Sequence, residues 1–405
     1  MAVETPPYLL RLKVNNFRSL RDVDLSLRPL TVLVGPNGAG KSNLLDVIAF
    51  LGDSVRDDLG QAVIKRGGFR RVAFRGGELG ARPTVSIDVE AAVTPDSLLT
   101  ASDQYTLNFS AFFRRVRPVD EDILSRNETF LFRRSGGSSL EIFINGSDIT
   151  IESGGQRRTA SLRASSLGLA TLPRLGPEQG SEQVDALAEL FAGFRVFDVD
   201  VDRARTPGAV GAARRLDDDA SNLAPFLLNF ATQHPDLFGA LIRDARTFIP
   251  GLEEITFHTV GGASEAVVLR LRERGLRDET DLADASFGSI RALALLALLY
   301  DPNPPHLTCI EEIDHGLHPY VLDRLVELLR QASHRTQLIV ATHSPPLVNR
   351  LQAEELVVCE RREDGSSAIP AIDPEVVRRM EGELGGELGL GELWFTGALG
   401  GVPDS

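Results

Sequence analysis

A glycine-rich stretch near the start of the chain has the residue types of a phosphate-binding loop. The octapeptide GPNGAGKS, residues 35–42, fits the pattern G-x-x-x-x-G-K-[ST]. Backbone N–H groups can surround phosphate oxygens only in a tight loop without obstructing side chains, which accounts for the glycines. The lysine supplies charge to the β- and γ-phosphates, and the serine hydroxyl is a Mg²⁺ ligand. The residues expected to contact the phosphates of ATP are Asn37, Gly38, Ala39, Gly40, Lys41, Ser42 and Asn43.

Two adjacent carboxylates end an apolar run far along the chain, in LTCIEEIDHGLHP. A phosphate-binding loop alone does not hydrolyse ATP, because hydrolysis also needs a carboxylate for Mg²⁺ and a group that orients water. Ligands of parallel sheets collect at the carboxyl ends of the strands. We therefore predict that Glu311 joins Ser42 in binding Mg²⁺ and that Glu312 polarises the attacking water. The alternative is a solvated acidic turn.

A histidine closes the next apolar run, in the segment ATHS at residues 341–344. A histidine at the end of a strand is usually structural. His343, however, comes one strand after the acidic pair, where its imidazole can bond the γ-phosphate or the attacking water. We predict that it is a catalytic residue together with Glu312.

The elements that must position these groups can be read from hydrophobic periodicity. Continuous apolar runs at residues 30–35, 306–312 and 336–343 predict strands buried on both faces, and a helix is predicted at residues 42–51. Alternating runs between residues 83 and 151 predict an antiparallel meander. Helical patterns dominate residues 181–246. The chain is thus predicted to be an α/β protein.

The composition excludes a disulfide-rich secreted protein and a membrane protein. The chain has 405 residues and only two cysteines, which indicates a reduced, cytoplasmic protein. We see no apolar run that reaches the roughly 18 residues needed to cross a bilayer, and no secretion signal at the N-terminus. A membrane is therefore not an expected partner.

The charge distribution leaves contact with nucleic acid open. A formal net charge of -14 argues against attraction of the whole molecule to DNA. Residues 65–75, KRGGFRRVAFR, are strongly basic and can touch a phosphate backbone. The alternative is a solvated face that is offset by acidic neighbours. The sequence therefore suggests DNA as a partner but does not decide between these two interpretations.

These segments, in this order, resemble the ABC-type ATPases of the RecF/SMC branch, and within it the compact AAA-type ATPases related to overcoming-lysogenization-defect (OLD) proteins. The resemblance is carried by NNFRSLRDVDLSL with TVLVGPNGAGKSNLLDVI, by IEEIDHGLHP and by ATHSPPLVN. It implies a P-loop NTPase fold: a bilobed head with a central mixed sheet, an antiparallel β-subdomain and a helical insertion. The expected division is residues 1–91 with the P-loop, an insertion at 92–245, and residues 246–405 with the remaining motifs.

The segment DASFGSIRALALLALL, residues 284–299, is similar to the signature segment of that branch. Ser286 and Gly288 stand in the matching places, which implies that they contact the γ-phosphate bound by another copy in an ATP-sandwiched homodimer. The alternative is that Ser286 is a helix cap and that no partner subunit is involved. The segment departs from the usual pattern at Ala285 and Phe287, and Ile313 stands where proline is common. We identify no Q-loop glutamine.

Two functions follow from this resemblance. The first is an ATPase in DNA maintenance or anti-phage defence, acting with a separate effector protein. The alternative is a nucleotide-switched scaffold that hydrolyses little and binds a protein partner. The wide spacing between the P-loop and the acidic pair argues against a small-molecule kinase. The roughly 60 residues after His343 are too few for a Toprim nuclease segment, so nuclease activity is not expected.

Overall fold

The computed structural model describes residues 8–76, 83–94, 97, 102–116, 119–133, 139–162, 166–174, 181–209, 211, 213–261, 265–384 and 389–400. A parallel five-stranded sheet forms its centre, in the order β10-β15-β16-β3-β17. The strands are β3 (Leu30–Val34), β10 (Phe194–Phe197), β15 (Leu307–Ile310), β16 (Gln337–Thr342) and β17 (Leu356–Val358). Every residue of β3, β15 and β16 is buried, as expected for strands covered on both faces.

A second, antiparallel sheet has eight strands in the order β2-β1-β4-β5-β6-β7-β8-β9. Burial alternates along β4, so one face of this sheet packs on the core. The strands are β1 (Tyr8–Phe17), β2 (Leu20–Ser26), β4 (Val85–Ala92), β5 (Asp103–Val116), β6 (Val119–Arg133), β7 (Ser139–Asn145), β8 (Asp148–Ser153) and β9 (Gln156–Ser161). The predicted antiparallel meander is thus present.

Two small antiparallel sheets complete the described strands. One contains β11 (Gly208–Ala209), β12 (Leu252–Val260), β13 (Ala266–Glu273) and β14 (Thr280–Asp281), and the other is the hairpin of β18 (Glu360–Arg361) and β19 (Ser367–Ala368). The hairpin comes directly after the last strand of the central sheet, which places it near the P-loop.

The helices cover the two faces of the central sheet. Those described are α1 (Lys41–Arg56), α2 (Leu59–Lys65), α3 (Phe69–Val72), α4 (Gly168–Thr171), α5 (Ser181–Ala192), α6 (Val201–Ala204), α7 (Leu223–Gln233), α8 (Pro235–Phe248), α9 (Phe287–Leu299), α10 (Leu322–Ala332), α11 (Pro345–Val348), α12 (Pro374–Leu384) and α13 (Leu390–Phe395). None of the helices within the described ranges is long and apolar enough to cross a membrane.

The central sheet separates two hydrophobic cores. Val32 and Val34 belong to the core formed with α7 to α10, whereas Leu33 belongs to the core formed with α1, α5 and the antiparallel sheet. Successive side chains of a strand point to opposite faces, so one short strand contributes to both cores. This burial on both sides holds β3, and the loop that follows it, in a fixed position.

The predicted α/β fold is confirmed, but the predicted sheet differs in one respect. The central sheet was expected to be mixed, whereas its strand pairs are all parallel and the antiparallel strands form a sheet of their own. The strands of residues 92–245 also continue both sheets, because β5 pairs with β4 and β10 pairs with β15. Strand pairing thus connects residues 92–245 to the segments on both sides of them. The division into residues 1–91, 92–245 and 246–405 stays our proposal.

Candidate nucleotide-binding site

The P-loop connects β3 to α1, and two of its glycines are required by close neighbours. Gly40 has φ 100°, and a Cβ built on it would lie 2.1 Å from the hydroxyl oxygen of Ser367. A Cβ built on Gly35 would lie 2.3 Å from the carbonyl oxygen of Cys359. Glycine is therefore needed at these two positions for a second reason, because neighbouring segments of the chain leave no room for a side chain. A side chain at either position would push the loop away from β17 and the hairpin.

The Lys41 ammonium lies inside the loop. Its Nζ donates hydrogen bonds to the carbonyl oxygens of Gly35 at 2.5 Å and Pro36 at 3.0 Å. Burial lowers the pKa of Lys41, and the nearby carboxylates of Glu311 and Glu312 oppose this effect. A partly desolvated cation at this point interacts strongly with any anion that enters the loop.

The side chains of Ser42 and Glu311 meet at one point. The Ser42 hydroxyl donates to Glu311 Oε2 at 2.8 Å. Burial raises the pKa of Glu311, and the neighbouring charges of Asp198 and Glu312 add to that shift, while the hydrogen bond from Ser42 opposes it. A hydroxyl and a carboxylate are oxygen ligands that suit Mg²⁺, and a cation would relieve the cost of the partly buried charge. The residues present therefore fit Mg²⁺.

Glu312 is held in an unusual backbone conformation next to Glu311. Its φ is 46°, which is rare for a residue other than glycine. The buried Arg291 of α9 donates from one guanidinium nitrogen to the carbonyl oxygens of Glu311 at 3.1 Å and Glu312 at 2.6 Å. The Glu312 carboxylate is half-exposed and lies 3.2 Å from Nδ1 of His315. Arg291 thus fixes the backbone from which both carboxylates project.

His343 follows β16, the strand that lies between β3 and β15. The exposed imidazole faces the same cleft as the P-loop and the acidic pair. Behind it, the Thr342 hydroxyl donates to Asp314 at 2.6 Å, which ties the end of β16 to the turn after the carboxylates. The residues that line this cleft are Asn37, Gly38, Gly40, Lys41, Ser42, Asn43, Glu311, Glu312, Ala341, Thr342, His343 and Arg361.

The structure thus brings together nearly all the residues predicted for phosphate, Mg²⁺ and water. Ala39 is the exception, because it is fully buried and is not among the described residues that line the cleft. Its small side chain instead belongs to the core beneath the loop. The chemical roles assigned to the other residues remain predictions.

The signature residues Ser286 and Gly288 lie at the start of α9 and are not among the described residues that line this cleft. The Ser286 hydroxyl accepts a hydrogen bond from the backbone N–H of Ser289 at 3.1 Å and so caps the helix. A Cβ built on Gly288 would lie 2.6 Å from the carbonyl oxygen of Gly316. The ring centroids of Phe287 and His315 are 5.2 Å apart. The signature segment therefore packs against the turn that follows Glu312.

Sequence reasoning missed three polar residues near the site, namely Arg291, Arg361 and Asp198. Asp198 follows β10, and Arg361 lies two residues beyond Cys359, just after β17. Both could have been found by asking which polar residues follow short apolar runs, as we did for Glu311 and His343. Arg291 has no such signal, because it lies inside an otherwise apolar helix.

Residues 30–349 match the protein family described as "AAA domain, putative AbiEii toxin, Type IV TA system". Among curated proteins, the chain is 61% identical over 46 residues to "OLD nuclease" of Thermus scotoductus, which covers 11% of this chain and 9% of that protein. It is 40% identical over 81 residues to "DNA replication and repair protein RecF" of Beutenbergia cavernae, which covers 19% of this chain and 20% of that protein. The matches thus span a fifth or less of these curated relatives.

A solved structure shares the fold across most of the chain. It is described as "Crystal structure of the SmcHead bound to the C-winged helix domain of ScpA", with 16% identity and a TM-score of 0.50. The similarity covers 91% of this chain and 99% of that one. At this identity the likeness shows the fold alone, which is that of a P-loop ATPase head. The predicted resemblance to the RecF/SMC branch and to OLD proteins is confirmed.

Proposed function

The chain belongs to the family described as "AAA domain, putative AbiEii toxin, Type IV TA system", and we propose that it is an ATPase of the RecF, SMC and OLD type, which binds ATP with Mg²⁺ and hydrolyses it. One observation carries the proposal. The P-loop, the acidic pair and His343 follow three adjacent strands of one parallel sheet and line a single cleft. We place this activity in the cytoplasm.

Each group in the cleft has a distinct task in this mechanism. The backbone of residues 37–43 and the Lys41 ammonium hold the phosphates, and the N-terminus of α1 faces them with its positive dipole end. Ser42 and Glu311 would hold Mg²⁺, which would supply positive charge to neutralise the phosphates. Glu312 accepts a proton from the attacking water, and His343 bonds the γ-phosphate or that water. Arg291 keeps the two carboxylates in place.

The signature residues support a dimeric mechanism. Ser286 and Gly288 open a 13-residue helix whose N-terminus is a site for an anion, yet they do not line the described cleft of their own chain. We propose that they contact the nucleotide of a second copy in a two-fold homodimer, so that two ATP molecules are sandwiched between the copies. Phe287 between them is 43% exposed, which leaves it available to such a partner.

A role on DNA is proposed from the basic segment and from the names of the relatives. The structure shows that part of this segment is used internally, because Lys65 and Arg66 form ion pairs with Asp53 at 2.9 and 3.0 Å. Arg71 and Arg75 are exposed and line a second cleft beside the P-loop. DNA maintenance or anti-phage defence, with a separate effector protein, is the setting we propose.

The alternative is the nucleotide-switched scaffold, which binds ATP, hydrolyses little and holds a protein partner. It is favoured by Phe287, whose ring stands in the signature segment where a small or acidic residue is usual and packs on His315. A bulky ring there can keep the helix N-terminus of α9 from approaching a nucleotide closely.

Turnover decides between the two functions. Phosphate release is measured with Mg²⁺ and ATP for the wild-type chain, for Glu312→Gln and for the remote control Glu265→Gln. The ATPase proposal expects Glu312→Gln to lose about 100-fold or more in rate, since a general base contributes that much, and the control to match wild type. Equal, slow rates for all three would support the scaffold.

A further inference from the structure

The hairpin of β18 and β19 is fastened to the P-loop from outside the central sheet. Ser367 is completely buried, and its hydroxyl oxygen lies 2.7 Å from that of Ser19. Its backbone N–H also donates to the carbonyl oxygen of Ser19 at 2.8 Å. The same Ser19 hydroxyl accepts a hydrogen bond from Asn43, in the first turn of α1, at 2.6 Å. The hairpin is therefore held against the first turn of the phosphate-binding helix.

Arg361 stands directly opposite Ser367 in this hairpin. Residues opposite each other in an antiparallel pair project to the same face, so Arg361 shares the face that packs on the P-loop. Its guanidinium donates to the carbonyl oxygen of Gly38 at 3.2 Å and lines the cleft with Lys41. The hairpin thus brings a second cation to the loop.

Most donor groups of Arg361 remain available in the cleft. The side chain is exposed, and across the part of the chain that the structure describes it forms no ion pair with a carboxylate. A guanidinium carries five N–H donors, of which the bond to Gly38 uses one. Asp364, on the same hairpin, pairs with Arg21 at 2.9 Å instead. The remaining donors match the oxygens of a phosphate group, which arginine can bind in a bidentate manner.

The strand order decides from which side Arg361 approaches. β17 lies on one side of β3, and β16 and β15 lie on the other. Glu311 and His343 follow those two strands, so the groups proposed to bind Mg²⁺ and to orient water lie on that side of the cleft. Arg361 follows β17 and reaches the loop from the opposite flank, where it also lines the second cleft together with Asn43.

We propose that Arg361 is a further nucleotide-binding residue, which donates charge-assisted hydrogen bonds to the α- or β-phosphate from the flank opposite Glu311. This inference rests on the proposed function, because it needs a nucleotide in the first cleft. It assigns to Arg361 the part of the ligand that ATP and ADP share. Arg361 therefore contributes to the affinity for both nucleotides, and the residues on the opposite flank distinguish ATP from ADP.

The test measures the Kd of Mg-ATP and of Mg-ADP by calorimetry. The variants are Arg361→Ala, Arg361→Lys and, as a matched control, the exposed neighbour Arg362→Ala. We expect Arg361→Ala to raise both Kd values about tenfold, as loss of a charged hydrogen bond does. Arg361→Lys should recover part of the affinity, because it keeps the charge but loses the planar fork. Arg362→Ala should match wild type.

Four outcomes would overturn the inference, and they differ from one another. If wild type binds nucleotide and Arg361→Ala binds it equally well, Arg361 has no contact with the ligand and only this inference fails. If Arg361→Ala raises the Kd of Mg-ATP but not that of Mg-ADP, the assignment of Arg361 to the shared phosphates is wrong. If wild type binds neither nucleotide, the proposed function fails as well. The melting temperature of each ligand-free variant is measured beside the Kd; equal values support a direct contact, and a large drop in Arg361→Ala would show that Arg361 merely braces the loop.

Discussion

The hydroxyl of Ser42 lies 2.8 Å from a carboxylate oxygen of Glu311, although 269 positions separate the two residues along the chain. Ser42 belongs to the helix after β3, and Glu311 follows β15. The two strands are not neighbours, since β16 lies between them. Their contact therefore depends on the order of the central sheet, and it defines the point at which we place Mg²⁺.

Removing the cation of the P-loop should strongly weaken nucleotide binding. The Lys41 ammonium is the group expected to reach the β- and γ-phosphates, and each charged hydrogen bond is worth about 1.5–3 kcal/mol. We expect Lys41→Ala to raise the Kd for Mg-ATP by about 100-fold or more, as measured by calorimetry. The melting temperature of the ligand-free variant should stay close to that of wild type. Unchanged affinity would contradict the assignment of the loop.

Blocking hydrolysis should reveal the dimer. In Glu312→Gln the amide cannot accept the proton of water, so bound ATP persists and the ATP-bound state accumulates. We expect size-exclusion chromatography with light scattering to show a shift toward twice the monomer mass with Mg-ATP but not with Mg-ADP. Adding Ser286→Arg, which places a bulky cation at the proposed interface, should remove the shift. A species of constant mass under all conditions would count against the sandwich.

The pKa of Glu311 predicts how stability depends on pH. Burial raises this pKa, so the folded chain binds the proton more tightly than the unfolded chain. The stability contributed by the protonated carboxyl is therefore present below the unfolded pKa and is lost as pH rises through the raised folded value. Replacing Glu311 by Gln, which stays neutral, should raise the ligand-free melting temperature by ~1–3 °C at pH 8.

The same variant should melt like wild type at pH 4 and below, where Glu311 is protonated. Thermal denaturation followed by circular dichroism across this pH range provides the measurement. With Mg-ATP present at pH 8, the melting temperature of Glu311→Gln should instead be lower than that of wild type, because the variant loses an anionic Mg²⁺ ligand. A stabilisation that is the same at both pH values would show that Glu311 is not the group responsible.

Loss of Arg291 should slow turnover while leaving nucleotide binding intact. Its guanidinium holds the carbonyl oxygens of both Glu311 and Glu312, so its loss displaces the two carboxylates. A displacement of about 1 Å costs on the order of 100-fold in rate. We expect this loss in kcat for Arg291→Met and partial recovery in Arg291→Lys, with the Kd for ATP measured without Mg²⁺ nearly unchanged in both. Equal reductions of kcat in both variants would indicate general damage instead.

Contact with DNA should depend on Arg71 and Arg75. Both are exposed, whereas Arg66 is engaged with Asp46 and Asp53. We expect the double variant Arg71→Glu/Arg75→Glu to weaken binding to duplex DNA and to reduce the slope of log K against log salt by about 0.9 per lost contact. Arg274→Glu, at a remote exposed position, should behave like wild type. If wild type binds no DNA at low salt, the proposed DNA role fails.

Much of the site could be predicted because its residue types are dictated by local chemistry. A loop that surrounds phosphate needs glycines and a lysine, and these stand together in eight consecutive residues. The buried strands β3, β15 and β16 show as apolar runs, and each ends at the predicted polar group. The burial of the Ala39 side chain could not be predicted, because the loop pattern does not show which of its residues faces the core. Contact of its backbone with phosphate stays a prediction.

The amino-acid sequence by itself determined the P-loop, the acidic pair, His343 and the strands that carry them, because hydrophobic periodicity and residue chemistry are local properties. Only the tertiary structure decided that the central sheet is parallel throughout and that β17 lies on the flank opposite β15. It also decided that Arg291 and Arg361 reach the site. Strand order depends on pairing between segments hundreds of residues apart, and no local pattern encodes which strands become neighbours.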